Sequence, residues 1–102
     1  MLAEFSVTPL GGGAHVGKQV ARAVQIVKDS GLDYQLTALG TLLEGDRDEV
    51  VTVILKAHEA LLATNERVYT RIALDEFKSE TPGRLRSKVT KIEQELGVAL
   101  KK

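Results

Sequence analysis

The sequence predicts an α+β domain in which four strands and two helices follow the order βαββαβ, with one more helix after them. Three observations predict it. Apolar residues recur with a period of two in some segments and of three to four in others. Glycine and proline punctuate the changes, at Pro9, Gly11 to Gly13, Gly31, Gly40, Gly45, Pro82 and Gly97. A length of 102 residues suits one domain spanning 1–102 and not two.

The first strand runs from Leu2 to Pro9. Ala3, Phe5 and Val7 alternate with Glu4, Ser6 and Thr8, so one face is buried and one is wet. Pro9 and the three glycines end it. A helix is expected from His15 to Ser30, because Val16, Val20, Ala23, Val24 and Val27 recur at helical steps. Gly31 stands where a left-handed cap belongs. Asp33 to Ala38 and Thr41 to Gly45 read as two strands of a tight hairpin joined through Leu39-Gly40. Asp46, with Glu49 three residues on, has the spacing of a capping box for the second helix. Val50, Ile54, Ala57 and Leu61 form its apolar stripe. Arg67 to Phe77 is a long strand, with Val68, Thr70, Ile72 and Leu74 on one face and Tyr69, Arg71 and Ala73 on the other. The last helix is expected to start with Thr81 as N-cap and Pro82 at the first helical position. Leu85, Val89, Ile92 and Leu96 make its stripe, and Gly97 ends it.

This order is the split βαβ pattern of ferredoxin-like sandwiches. It predicts an antiparallel sheet of order 4-1-3-2 with both main helices on one face, because right-handed crossovers place them on the same side. The other face is left for the last helix or a partner subunit.

Composition narrows the function. Lys plus Arg and Asp plus Glu are 14 each, for a formal net charge of zero. That argues against nucleic acid and acidic membranes as partners and favours self-association. There is no cysteine, hence no disulfide and no thiolate metal site. The start of the chain lacks the basic and apolar regions of a secretory signal, and no stretch has the roughly 20 apolar residues of a membrane span. A cytoplasmic location is expected.

With Phe5 and Val7 turned toward the helices, the open face carries Glu4, Ser6, Thr8, Gln35, Thr37, Glu44, Tyr69 and Arg71. One reading is a solvated outer face. The other is a polar pocket for a small cationic or amino-bearing ring, with Glu44 as carboxylate, Ser6 and Thr37 as hydroxyls and Tyr69 as aromatic surface. His58 reads as a packing residue beside the stripe of the second helix, and His15 as a surface residue. Neither has metal-ligand spacing, and no metal site is expected. The Gly11-Gly12-Gly13 run reads as a turn; it matches neither phosphate-binding glycine pattern, although a helix start after glycines can hold an anion. No nucleophile and base stand at a recognised spacing, so catalysis is not expected.

The runs Ala3-Glu4-Phe5-Ser6-Val7-Thr8-Pro9-Leu10-Gly11 and Gly31 through Asp46, with its Gly40-Thr41-Leu42-Leu43-Glu44-Gly45 signature, resemble the small thiamine-binding proteins related to YkoF. Asp48-Glu49-Val50, His58-Glu59-Ala60-Leu61 and Arg67 to Ile72 extend the resemblance over nearly the whole chain. It implies a ferredoxin-like fold, dimers that pair into tetramers, and non-catalytic binding of thiamine or its pyrimidine part, with no further cofactor. Ser6, Thr37 and Glu44 match the family's strand pattern. With Thr8 and Tyr69 from the same face, they are the expected ligand contacts. The chain departs from the family where a serine-rich stretch is replaced by Gly12-Gly13-Ala14-His15-Val16-Gly17, and again after Phe77. A homo-oligomer, a dimer of dimers, is the expected assembly, with Arg67–Phe77 as the sheet edge available for pairing.

Overall fold

The computed structural model describes residues 1–11 and 16–102. The expected start of the first helix at His15, and the role of Gly12 and Gly13, lie outside the described residues. The elements are β1 (Leu2–Leu10), α1 (Val16–Asp29), β2 (Asp33–Leu36), β3 (Thr41–Glu44), α2 (Arg47–Leu62), β4 (Arg67–Asp75) and α3 (Arg84–Leu96). The sheet is antiparallel in the order β2-β3-β1-β4, the one expected from the crossovers.

The two-residue alternation of β1 decides which way the sheet faces. Ala3, Phe5 and Val7 are buried beneath α1 and α2, while Glu4 and Thr8 are exposed on the other side. Leu43 of β3, Val27 of α1, and Val50, Ile54 and Leu61 of α2 are fully buried and fill the space between sheet and helices. Each such side chain contributes about 1.5–3 kcal/mol relative to exposure. His58 is half-buried on α2, and its Nδ1 lies 2.6 Å from the Thr70 hydroxyl of β4. That is the packing role expected of it.

Three local expectations are corrected. First, β2 stops at Leu36, and the hairpin turns on Ala38-Leu39, not Leu39-Gly40. The Thr37 N–H donates to the Gly40 carbonyl at 2.8 Å and closes the turn. Glycine is needed at position 40, because an added Cβ would lie 2.8 Å from the Phe5 carbonyl oxygen. Second, Asp46 stands at the N-cap of α2, but its side chain makes no cap hydrogen bond, so the capping box does not form. Third, α3 starts at Arg84. Its N-cap is Gly83 in the left-handed region, φ 95°, not Thr81. Glycine has no side chain to serve as cap, so the acceptor comes from elsewhere.

β4 spans Arg67–Asp75, two residues short of the expected strand, and pairs along its length with β1 on one side only. It is the sheet edge that the pattern pointed to. No helix among the described residues is long and apolar enough to cross a membrane. The radius of gyration is 15.1 Å, against about 13 Å for a compact chain of this length. Beyond Leu85 in its first turn, α3 is exposed along most of its body.

Candidate functional site

The five expected contact residues fall in three places. Ser6 and Thr8 lie on the open face of β1, opposite Arg71 and Tyr69 of β4. They form one polar strip beside a shallow depression of about 340 Å³ lined by Glu4, Ser6, Leu39 and Arg71. Thr37 has left the strand. Its hydroxyl donates to the Gly40 carbonyl at 2.7 Å and accepts from the N–H groups of Leu39 and Gly40. It also lines, with Ser6, a slot of about 180 Å³ between the hairpin and α1. Glu44 sits at the other end of the sheet. It pairs with Leu2 of β1, and Leu2 is about 14 Å from Ser6 at the strand rise of roughly 3.4 Å per residue. The expected convergence of Glu44 with Ser6 and Thr37 is therefore corrected: they share a sheet, not a pocket.

What surrounds Glu44 was not legible beforehand. Its carboxylate accepts three backbone N–H bonds from the start of α3: Gly83 at 3.1 Å and Arg84 at 3.0 Å on Oε2, and Leu85 at 2.9 Å on Oε1. It thus supplies the cap that Gly83 cannot, reaching across from β3. A carboxylate has about four acceptor positions, so one remains free.

Glu44 also lines a cleft of about 620 Å³ between the end of β3, the start of α2 and the β4–α3 connection. Five carboxylates border it, from Asp33, Glu44, Asp46, Glu76 and Glu80, against three cations, Arg47, Lys78 and the Met1 amino group. Most are already engaged. Asp33 pairs with Arg86 at 2.5 Å, and Glu76 with Arg47 at 2.8 Å. Glu80 meets the Met1 amino group at 2.6 Å and Arg84 at 3.1 Å. The Met1 amino group, then the Phe77 N–H and Arg84, hold the Glu80 carboxyl below its ordinary range against the opposing effect of burial. Glu76 raises Arg47, and Asp33 raises Arg86, above the usual guanidinium value. Asp46 is exposed and makes no ion pair among the described residues. The Phe77 ring stands at the rim with the Arg84 guanidinium 4.6 Å from its centroid.

Ligand pockets for small molecules occupy about 300–1,000 Å³. The cleft at Glu44 and the depression at Ser6 lie inside that range, and the slot at Thr37 lies below it. An excess of carboxylates beside an aromatic ring suits a cationic, ring-bearing ligand. Phe77, Glu80 and Arg84 were missed because Phe77 falls at the end of the expected long strand, Glu80 belongs to a connection with no period, and Arg84 opens α3 three residues after the expected N-cap. The one usable signal was Gly83, a cap position without a side chain beside Arg84.

The sequence model of the family described as thiamine-binding protein matches residues 3–93, from β1 into α3. The chain belongs to the thiamine-binding protein family. Membership assigns it a small-molecule-binding role. Relatives carry the likeness across most of the chain. A UPF0045 protein of Methanocaldococcus jannaschii, MJ1052, is 39% identical over 80 residues, covering 78% of this chain and 80% of its own. Its crystal structure superposes with a TM-score of 0.80 over 91% of this chain and 95% of that one, at 36% identity. A UPF0045 protein of Methanothermobacter thermautotrophicus is 37% identical over 97 residues, 92% of this chain and 97% of its own. A Thermotoga maritima protein described as a candidate for thiamine biosynthesis or salvage shares the fold, with a TM-score of 0.75 at 18% identity over 89% of this chain and 96% of its own. Within the thiamine-binding protein family match lie β3 with Glu44, the Phe77–Glu80 connection and the first turn of α3, so every residue that lines the cleft except Met1 is family sequence.

Proposed function

We propose that this protein is a non-catalytic binder of thiamine or its aminopyrimidine part, that the ligand occupies the cleft at Glu44, and that the working form is a homo-oligomer. The observation that carries the site is the match between that cleft and the ligand's chemistry. Thiamine has a permanently charged thiazolium ring and an amino group on its pyrimidine. The cleft offers about 620 Å³, an excess of carboxylates and the Phe77 ring. Glu44 is held by three N–H donors and keeps one acceptor position free for an amino group. The family's description, and that of the Thermotoga protein, support thiamine as the ligand.

A second reading places the ligand on the open face, and it rests on the adjacency of Ser6, Thr8 and Tyr69 there. Titration calorimetry separates the two. Thiamine should bind the wild type, and Phe77→Ala should weaken it about tenfold, as loss of ring stacking costs about 1–3 kcal/mol. Tyr69→Ala should leave affinity unchanged. The reverse pattern moves the site to the open face. No heat and no thermal stabilisation with millimolar thiamine or aminopyrimidine would overturn the ligand itself.

A further inference from the structure

α3 leaves the body of the protein almost as soon as it begins. Leu85 in its first turn is 7% exposed, whereas Val89, Ile92 and Leu96 are 37%, 42% and 59% exposed. These four positions step by four, three and four residues. That is the spacing that keeps apolar side chains in one straight seam against a second helix. A helix of 13 residues has little stability of its own in water, so an uncovered seam along most of its length calls for a cover.

The charges beside the seam say what the cover is. The flanking positions hold Arg86 and Lys88 in the first half of α3 and Glu93 and Glu95 in the second. A second α3 laid antiparallel sets Lys88 against Glu95 of the partner subunit, twice by symmetry, while Arg86 and Glu93 are already paired with Asp33 and Lys102 within the chain. Parallel pairing would align only Lys88 with Glu93 of the partner subunit, and it would stack the helix dipoles in the same sense. Among the described residues Lys88 and Glu95 make no ion pair, so both are available. The alternative cover, the open sheet face of another copy, mixes Glu4, Ser6, Thr8 and Arg71 with Leu42, Tyr69 and Ala73, so it offers the seam a mixed surface and not a continuous apolar one.

We propose that α3 pairs antiparallel with α3 of a second copy of this chain, through the seam Leu85-Val89-Ile92-Leu96 and reciprocal contacts of Lys88 with Glu95. This rests on reading the chain as a homo-oligomer and adds the surface.

Charge reversal tests it by sedimentation equilibrium across the micromolar range, with circular dichroism to show that each variant is folded. Lys88→Glu alone and Glu95→Lys alone each set like charges together twice. Each should weaken self-association about tenfold or more. An equimolar mixture of the two variants restores every pair and should associate as the wild type does, as should the double variant. A wild type that stays monomeric overturns both this pairing and the homo-oligomer reading. A wild type that associates, with single reversals that change nothing or a mixture that fails to recover, overturns the α3 pairing alone and leaves the homo-oligomer standing.

Discussion

Removing the Glu44 carboxylate is the most direct test of how α3 is held. In Glu44→Ala the N–H groups of Gly83, Arg84 and Leu85 lose acceptors at 3.1, 3.0 and 2.9 Å. Water replaces part of what is lost, because this end of the helix is partly exposed. The expected cost is therefore that of a strong N-cap, about 1–2 kcal/mol. Beyond its first turn little ties α3 down: Leu85 is its one buried residue, Arg84 pairs with Asp75 and Glu80, and the Arg86–Asp33 pair is exposed. The loss should appear as local opening of α3, not as unfolding of the core. About 1.4 kcal/mol is a tenfold change in an opening equilibrium. In hydrogen exchange read by mass spectrometry, peptides covering residues 83–96 should exchange about tenfold faster, while peptides from β1 and α2 stay as in the wild type. Glu44→Gln keeps one acceptor oxygen and should fall between the two. Were α3 instead to melt with the body, each kcal/mol would lower the midpoint by about 5 °C. Unchanged exchange in residues 83–96 would refute the cap. Ligand affinity is a separate measurement on the same variants: Glu44→Gln should also weaken thiamine about tenfold if the free acceptor position is used.

Two further outcomes follow from single contacts. Gly40→Ala places a methyl group 2.8 Å from the Phe5 carbonyl oxygen; backbone cannot step aside as a flexible side chain would, so thermal melting should fall by at least about 4 °C, and an unshifted melt would show that the hairpin relaxes freely. The Glu93 carboxyl is held below its ordinary range, first by the Leu100 N–H and then by Lys102. A depressed folded value means that the contribution is present above the unfolded value of about 4.3 and is lost as pH falls through the lower folded one. The Leu100 amide resonance should therefore titrate below the ordinary glutamate range; a midpoint at or above it would refute the contact.

Element types and sheet order were legible in the sequence because they depend on residues that report their own burial. Ala3, Phe5 and Val7 alternate because one face of β1 is covered, and Val50, Ile54, Ala57 and Leu61 recur because one side of α2 is. Boundaries were less legible, because they depend on competition for backbone groups. Thr37 fits a strand by propensity, yet its hydroxyl bonds the Gly40 carbonyl and ends β2 early. Thr81-Pro82 has the chemistry of a helix start, but the start falls at Gly83, where Glu44 can reach the free N–H groups. A cap supplied from 41 residues away, as for Leu85, leaves no local pattern. The same holds for the cleft. Glu44 could be singled out as a carboxylate at a strand end. Its separation from Ser6 could not, because it depends on how many residues of β1 pair with β3, and the register includes only Leu2 to Phe5.

The assembly question turns on how many unpartnered surfaces the molecule has. A dimer of dimers needs two distinct self-complementary contacts, each used twice. The seam of α3 is one candidate. The outer edge of β4 is a second, and it is separate. Its backbone pairs with β1 on one side only, and Ile72 and Leu74 of β4 are exposed, as are Leu55 and Leu62 of α2. Two copies laid antiparallel along β4 about Thr70 would set Tyr69 opposite Arg71 and Val68 opposite Ile72, so that the apolar residues of the two chains share one face. A nine-residue strand with one edge unpaired and with exposed leucine and isoleucine is an aggregation hazard for a chain of zero net charge, and closed pairing removes it. The α3 seam and the β4 edge lie on different elements, and neither borders the carboxylate-lined cleft along its length. Supporting a tetramer in this way leaves the mouth of the ligand site to the residues of one chain, so ligand affinity should not depend on which of the two contacts is broken.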